Sequence, residues 1–128
     1  MSEPFVFISK HKIKEGKFDG FKDFFLEGVE LLEANKPQTV FFGAYVSEDA
    51  SEVSIVHVFP DTAAMELHMQ GASDRSKKAY EFLEPRSFEF YGTPSSGILE
   101  MMKQVAGSGA AVSIKPQQLG GFIRLKSG

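Results

Sequence analysis

The run TVFFGAYVSEDASEVSIVHVF, residues 39–59, decides the fold. Thr39 to Ser47 and Glu52 to Phe59 are rich in β-branched and aromatic side chains, which suit a pleated, half-buried surface. The short segment Glu48, Asp49, Ala50 and Ser51 separates them, so the stretch reads as a hairpin of two antiparallel strands. Gly43 interrupts the first strand and marks either a bulge or a place where another group comes close to the backbone.

Working outward, each strand of the hairpin is flanked by a helix and then by another strand. Upstream, Phe18, Phe21, Phe25, Val29 and Leu32 recur at spacings of three and four from Lys17 to Asn35, the stripe of an amphipathic helix that Pro37 ends. Before it, Phe5 to Lys12 alternates with period two, placing Phe5, Phe7, Ser9 and His11 on one face of a strand. Downstream, Asp61 suits the N-cap of a helix from Thr62 to Met69. Gly71 interrupts that helix, a polar helical stretch continues from Ser73 to about Leu83, and Pro85 closes it. Arg86 to Tyr91 alternates again. The order β-α-β-β-α-β is the ferredoxin-like α+β arrangement, an antiparallel sheet with both helices on one face. The other face is left for a second subunit, and a homodimer is the expectation.

Residues 1–92 form this domain and 93–128 an extension that packs on the same domain or on the partner subunit. Thr93 and Pro94 suit an N-cap and first helical position for a helix through Ile98, Leu99, Met101, Met102 and Val105. Gly107, Ser108 and Gly109 act as a hinge, and Val112–Lys115 and Phe122–Leu125 are short strand-like pieces.

Composition excludes several function classes. The 128 residues carry 14 Lys plus Arg against 17 Asp plus Glu with no basic stripe, which argues against nucleic acid as a partner. No cysteine is present, so disulfides, thiolate metal sites and thiol nucleophiles are impossible. No apolar run reaches the ~18 residues of a membrane span, and the start MSEPFVF shows no secretory signal, so a cytoplasmic location and no membrane partner are expected. Thirteen Phe with no Trp make a dry, aromatic interior, and a small aromatic or apolar ligand is the partner such a pocket would take.

The stretch VHVFPDTAAMELHM, residues 56–69, together with Glu15-Gly16-Lys17 before the first helix, resembles the antibiotic biosynthesis monooxygenase type of dimeric α/β barrel over roughly residues 5 to 92. That resemblance implies a dimer with its two sheets face to face and a pocket in each subunit between sheet and helices. Its characterised members include cofactor-free oxygenases of quinols and anthrones, haem-degrading enzymes and an isomerase, so the fold alone does not name a reaction. Phe59 stands where tryptophan is usual, His57 where glutamate is common, and Ser9 where haem-degrading relatives carry asparagine. Haem degradation is therefore disfavoured.

His57 shares its strand face with Val53, Ile55 and Phe59, so if Phe59 lines the pocket the imidazole points there too. His57 and His68 are the candidate catalytic bases, with Ser9, His11, Phe59 and Phe7 as candidate substrate-binding residues. The competing reading makes both histidines structural, hydrogen-bonded within the core. No HxH or HxxxH spacing occurs, and neither a metal nor any other cofactor is expected. The Phe18, Phe21, Phe25 stripe reads as core rather than as a substrate box, and Tyr45, Tyr80 and Tyr91 are possible donors to an oxyanion. With these residues, the resemblance implies a cofactor-independent monooxygenase of a small quinol, phenol or polyketide-like aromatic. The alternatives are a non-catalytic binding protein for a small apolar ligand and a structural dimer.

Overall fold

The structure is a computed structural model that describes residues 4–70, 72–105 and 109–124. β1 (Phe5–Ile13), α1 (Phe18–Asn35), β2 (Phe41–Val46), β3 (Glu52–Phe59), α2 (Thr62–Met69), α3 (Ala72–Ala79), β4 (Leu83–Tyr91), α4 (Ser96–Val105) and β5 (Ala111–Lys115) follow in that order. The five strands form one mixed sheet ordered β2-β3-β1-β4-β5, antiparallel throughout except for β5, which runs parallel to β4. The first four strands have the expected ferredoxin-like order.

Alternation along β1 decides which face is buried. Phe5, Phe7, Ser9, His11 and Ile13 are buried, while the residues between them are half-buried or exposed. Register carries that face across the sheet, because Phe7 lies opposite His57 on one side and Phe90 on the other. Two clusters cover it. Phe5, Phe7, Phe59, Phe88 and Phe90 pack with Ala64, Met65 and Met69 of α2 and Ile98 of α4. Ile13, Val53 and Leu83 pack with Phe21 of α1, joined by Phe24, Phe25, Ala79 and Phe82. All four helices thus contribute to the same face. On the opposite face, Val6, Ile8, Val56 and Val58 are half-buried, and Phe41 and Tyr45 remain 40% and 63% exposed.

Several boundaries differ from the sequence expectation, each for a local reason. Pro85 does not end a helix; α3 stops at Ala79 and β4 already begins at Leu83. The strand accommodates the proline where the β1–β4 register shifts between Lys10 and His11, since a missing N–H is tolerated at such an irregularity. The N-cap of α4 is Ser95, whose hydroxyl accepts from the Ile98 N–H at 3.2 Å, and not Thr93. The Thr93 carbonyl instead accepts from the Thr62 hydroxyl at 2.9 Å, tying α2 to the start of the extension. Asp61 caps α2 as expected, accepting from the Ala64 N–H at 2.8 Å. Gly43 is not a bulge, because β2–β3 pairing is continuous through it; the Phe41 ring lies over it, 2.8 Å from where a Cβ would stand. Val112–Lys115 is part of β5, whereas residues 121–124 are not a strand. Gly71, Gly107, Ser108 and Leu125 lie outside the described residues. No helix among the described residues is long and apolar enough to cross a membrane.

Candidate active site

Between the buried sheet face and helices α1, α2 and α3 lies a cavity of about 140 Å³. That is close to the size at which an engineered apolar cavity admits one aromatic ring. Its walls are largely aromatic, with Phe7, Phe42 and Phe88 from the sheet and Phe21, Phe24 and Phe25 from α1. All three histidines, Ser9, Tyr80 and Arg75 also line it. The Phe21–Phe25 stripe, expected to be core, is therefore also cavity wall.

Gly28 of α1 is part of the wall, and a Cβ there would meet nothing within 4 Å. A glycine in a helix interior costs about 1 kcal/mol relative to alanine. Here it leaves room that a side chain would take.

His57 stands at the centre of the strand face, 7% exposed and enclosed by rings. Phe7 stacks on it at 4.9 Å between centroids, Phe42 lies at 5.1 Å, and the His68 ring meets it edge-on at 5.2 Å. Its Nδ1 is 3.2 Å from the Phe7 carbonyl oxygen. A carbonyl only accepts, so Nδ1 carries the proton and the Nε2 lone pair remains, with no protein partner among the described residues. Burial, then the neighbouring His68, lowers its pKa from 6.5 to about 3, against the pull of the Phe7 carbonyl.

His68 is 2% exposed and is oriented by Thr39, whose Oγ1 lies 2.8 Å from Nδ1. Its pKa is lowered to about 4, first by burial and then by the nearby Arg75 and Lys36 cations. When the Thr39 hydroxyl donates to Nδ1, His68 holds its proton on Nε2, and the two imidazoles present an acceptor and a donor. Thr39, outside β2, was not among the candidate residues.

His11 and Ser9 sit further along β1, paired through Nε2 and Oγ at 3.0 Å. Burial lowers the His11 pKa to about 4. The structure brings His57, His68, Ser9, His11 and Phe7 to one cavity, but Phe59 does not line it. Its ring is fully buried behind the imidazoles, 5.2 Å from His68, and supports them as core. Of the tyrosines, Tyr80 lines the cavity; Tyr45 is exposed on the far face and Tyr91 donates to Glu89. Among the described residues no group of three or more His, Asp or Glu is placed to hold a metal ion.

No family model matches the chain, and no curated protein matches it in sequence. Solved structures do match. MupZ from Pseudomonas fluorescens superposes with a TM-score of 0.71 at 11% identity, covering 98% of this chain and 100% of that one. The fold is that of the antibiotic biosynthesis monooxygenases. SnoaB, a cofactor-independent oxygenase from Streptomyces nogalater, matches at TM-score 0.60 and 12% identity over 74% of this chain and 97% of its own. A Nitrosomonas europaea protein grouped with the antibiotic biosynthesis monooxygenases matches at 0.62 and 18%, over 73% and 92%. The match to MupZ spans 98% of this chain and so takes in the C-terminal helix and strand.

Proposed function

We propose that the chain is a cofactor-independent monooxygenase of a small aromatic such as a quinol or phenol. The observation that carries this reading is the His57 ring, its proton fixed on Nδ1 by the Phe7 carbonyl and its Nε2 lone pair left in an apolar cavity beside His68. The shared fold of SnoaB, described as a cofactor-independent oxygenase, supports it as analogy.

The substrate supplies the electrons. His57 Nε2 takes the hydroxyl proton of the substrate, and the phenolate, reacting as a carbanion at a ring C–H carbon, adds dioxygen there. The peroxide regains the proton from His57 and water leaves with that carbon's hydrogen, so that a phenol O–H, a ring C–H and O₂ become two C=O groups and H₂O. An isolated imidazolium is disfavoured at this position, so the proton arrives only as an ion pair with the anion it leaves behind. His68 is the donor facing that anion, oriented by Thr39. The aromatic walls exclude water from the carbanion.

The reading is tested by filling the cavity. In Gly28→Leu the new side chain occupies the ligand's space, and removing a helical glycine raises stability by up to about 1 kcal/mol. Oxygen uptake with a quinol is expected to vanish while the thermal midpoint holds or rises; undiminished turnover would place the chemistry elsewhere.

The active form is a homodimer joined through the sheet face opposite the helices. Support comes from Phe41 and Tyr45, whose large rings are 40% and 63% exposed there beside half-buried valines and isoleucine. Sedimentation at micromolar concentration is expected to give a dimer burying more than ~1,200 Å² in total. A folded monomer, or a dimer unaffected by Tyr45→Glu, would contradict this assembly.

A further inference from the structure

Among the described residues, Arg75 is the one charged residue that lines the cavity. It stands on α3 and is half-buried, and burial lowers its pKa. Two of its N–H groups are used on the end of α2: Nη2 donates to the His68 carbonyl at 2.9 Å, and Nη1 to that of Gln70 at a long 3.4 Å. A guanidinium has five such donors, so three are without a partner among the described residues. These two contacts place a cation at a helix C-terminus, a sufficient structural role. They do not neutralise it.

Among the described residues the two ion pairs, Lys10–Glu89 and Arg86–Glu84, both lie elsewhere, and no described Asp or Glu lines the cavity. With the three histidines neutral at pH 7, the cavity carries one uncompensated positive charge. A half-buried cation without a counter-charge is costly, and a ligand that brings the counter-charge recovers that cost.

We propose that the cavity's ligand is an aromatic carrying a carboxylate, which docks on the free edge of the Arg75 guanidinium while the ring lies between the phenylalanines. A planar carboxylate matches the planar fork with two parallel hydrogen bonds, and a single negative charge balances the single positive one. This deepens the oxygenase reading by naming its substrate class, a carboxylated quinol or phenol. It concerns binding alone, so it stands or falls separately from turnover.

The test compares 2,5-dihydroxybenzoate with hydroquinone, which differ by one carboxylate, by calorimetry under nitrogen so that no oxidation intervenes. The wild-type protein is expected to bind the carboxylate at least tenfold more tightly. Arg75→Gln should erase that preference and leave hydroquinone affinity unchanged, with Arg75→Lys intermediate. As a check independent of any variant, the Arg75 Nε–H resonance of the wild-type protein should shift with 2,5-dihydroxybenzoate and not with hydroquinone. Equal affinities in the wild type, a preference surviving in Arg75→Gln, or an unmoved resonance would each overturn the proposal. So would failure of the carboxylate to bind at millimolar concentration. Binding preference without any oxygen uptake would instead uphold the carboxylate site and overturn the oxygenase reading.

Discussion

Replacing His57 with Gln is expected to lower oxygen-dependent turnover of a quinol by about 10²-fold or more, the usual weight of a general base. Glutamine keeps a donor for the Phe7 carbonyl and removes the basic Nε2, so the loss is chemical rather than structural. The companion measurement is the thermal midpoint together with ligand affinity, both of which should stay near wild type. His68→Gln should cost less, because a donor to the anion survives in the amide. Full turnover in the His57 variant would remove this residue from the chemistry and leave His68 as the base to test.

Acid is expected to unfold the protein well before its carboxylates are all protonated. The three histidines have folded-state pKa values near 4, 3 and 4, below the ordinary 6.5 that each regains on unfolding. Below pH 6.5 the unfolded chain therefore binds protons that the folded chain refuses, and stability falls as pH falls. The loss is complete only where the folded-state values are reached, between pH 4 and 3. In the middle of that window each histidine contributes a slope of about 1.4 kcal/mol per pH unit, so the three together give about 4 kcal/mol per unit. Against a typical domain stability of about 5–15 kcal/mol, the midpoint of acid unfolding should fall at about pH 5 at the low end of that range and at about pH 4 or below for a stability of about 10 kcal/mol or more. Urea titrations at a series of pH values measure the slope directly, and His11→Gln should reduce it by about a third. A stability that stays flat from pH 6.5 to 5 would show the imidazoles to be far better hydrated than this cavity allows.

Much of the fold was legible because β1, and in part β3 and β4, alternate with period two. Phe5, Phe7, Ser9 and His11 alternate to one face, and His57 and Phe59 share a face on β3, so these strands followed from spacing; that His57 faces a pocket was expected only on the condition that Phe59 lines it, and Phe59 does not. The errors came where one residue type serves two purposes. Pro85 reads as a helix stop, yet a register shift lets a strand hold it. Thr93-Pro94 looks like a helix start, but Ser95 two residues on makes the cap.

The site was harder to read because a cavity is an absence. The phenylalanines of α1 face inward whether or not the space before them is filled, and periodicity reports only the facing. Gly28 adds to that space, since a Cβ there would meet nothing within 4 Å, and in sequence it looks like only a weak helix position. Phe59, expected at the wall, lies one layer behind it because the two imidazoles stand in front. Arg75 was invisible for another reason. The segment ASDRSKKA is polar on all sides, and nothing in its pattern tells which cation turns back toward the end of α2. Thr39 was hidden by its β-branched neighbours, which extend the strand pattern past the point where pairing of β2 begins.

The most direct test of the central claim is oxygen consumption by the purified, chelator-treated protein with a panel of quinols and anthrones under ¹⁸O₂. Catalysis by the substrate's own electrons predicts uptake without added metal, flavin or haem, and a product in which the oxygen of the new carbonyl is labelled. The same reaction should be lost in His57→Gln. Reversible binding of a panel member with no uptake above the uncatalysed rate would contradict the account and leave a protein that holds an aromatic ligand without oxidising it.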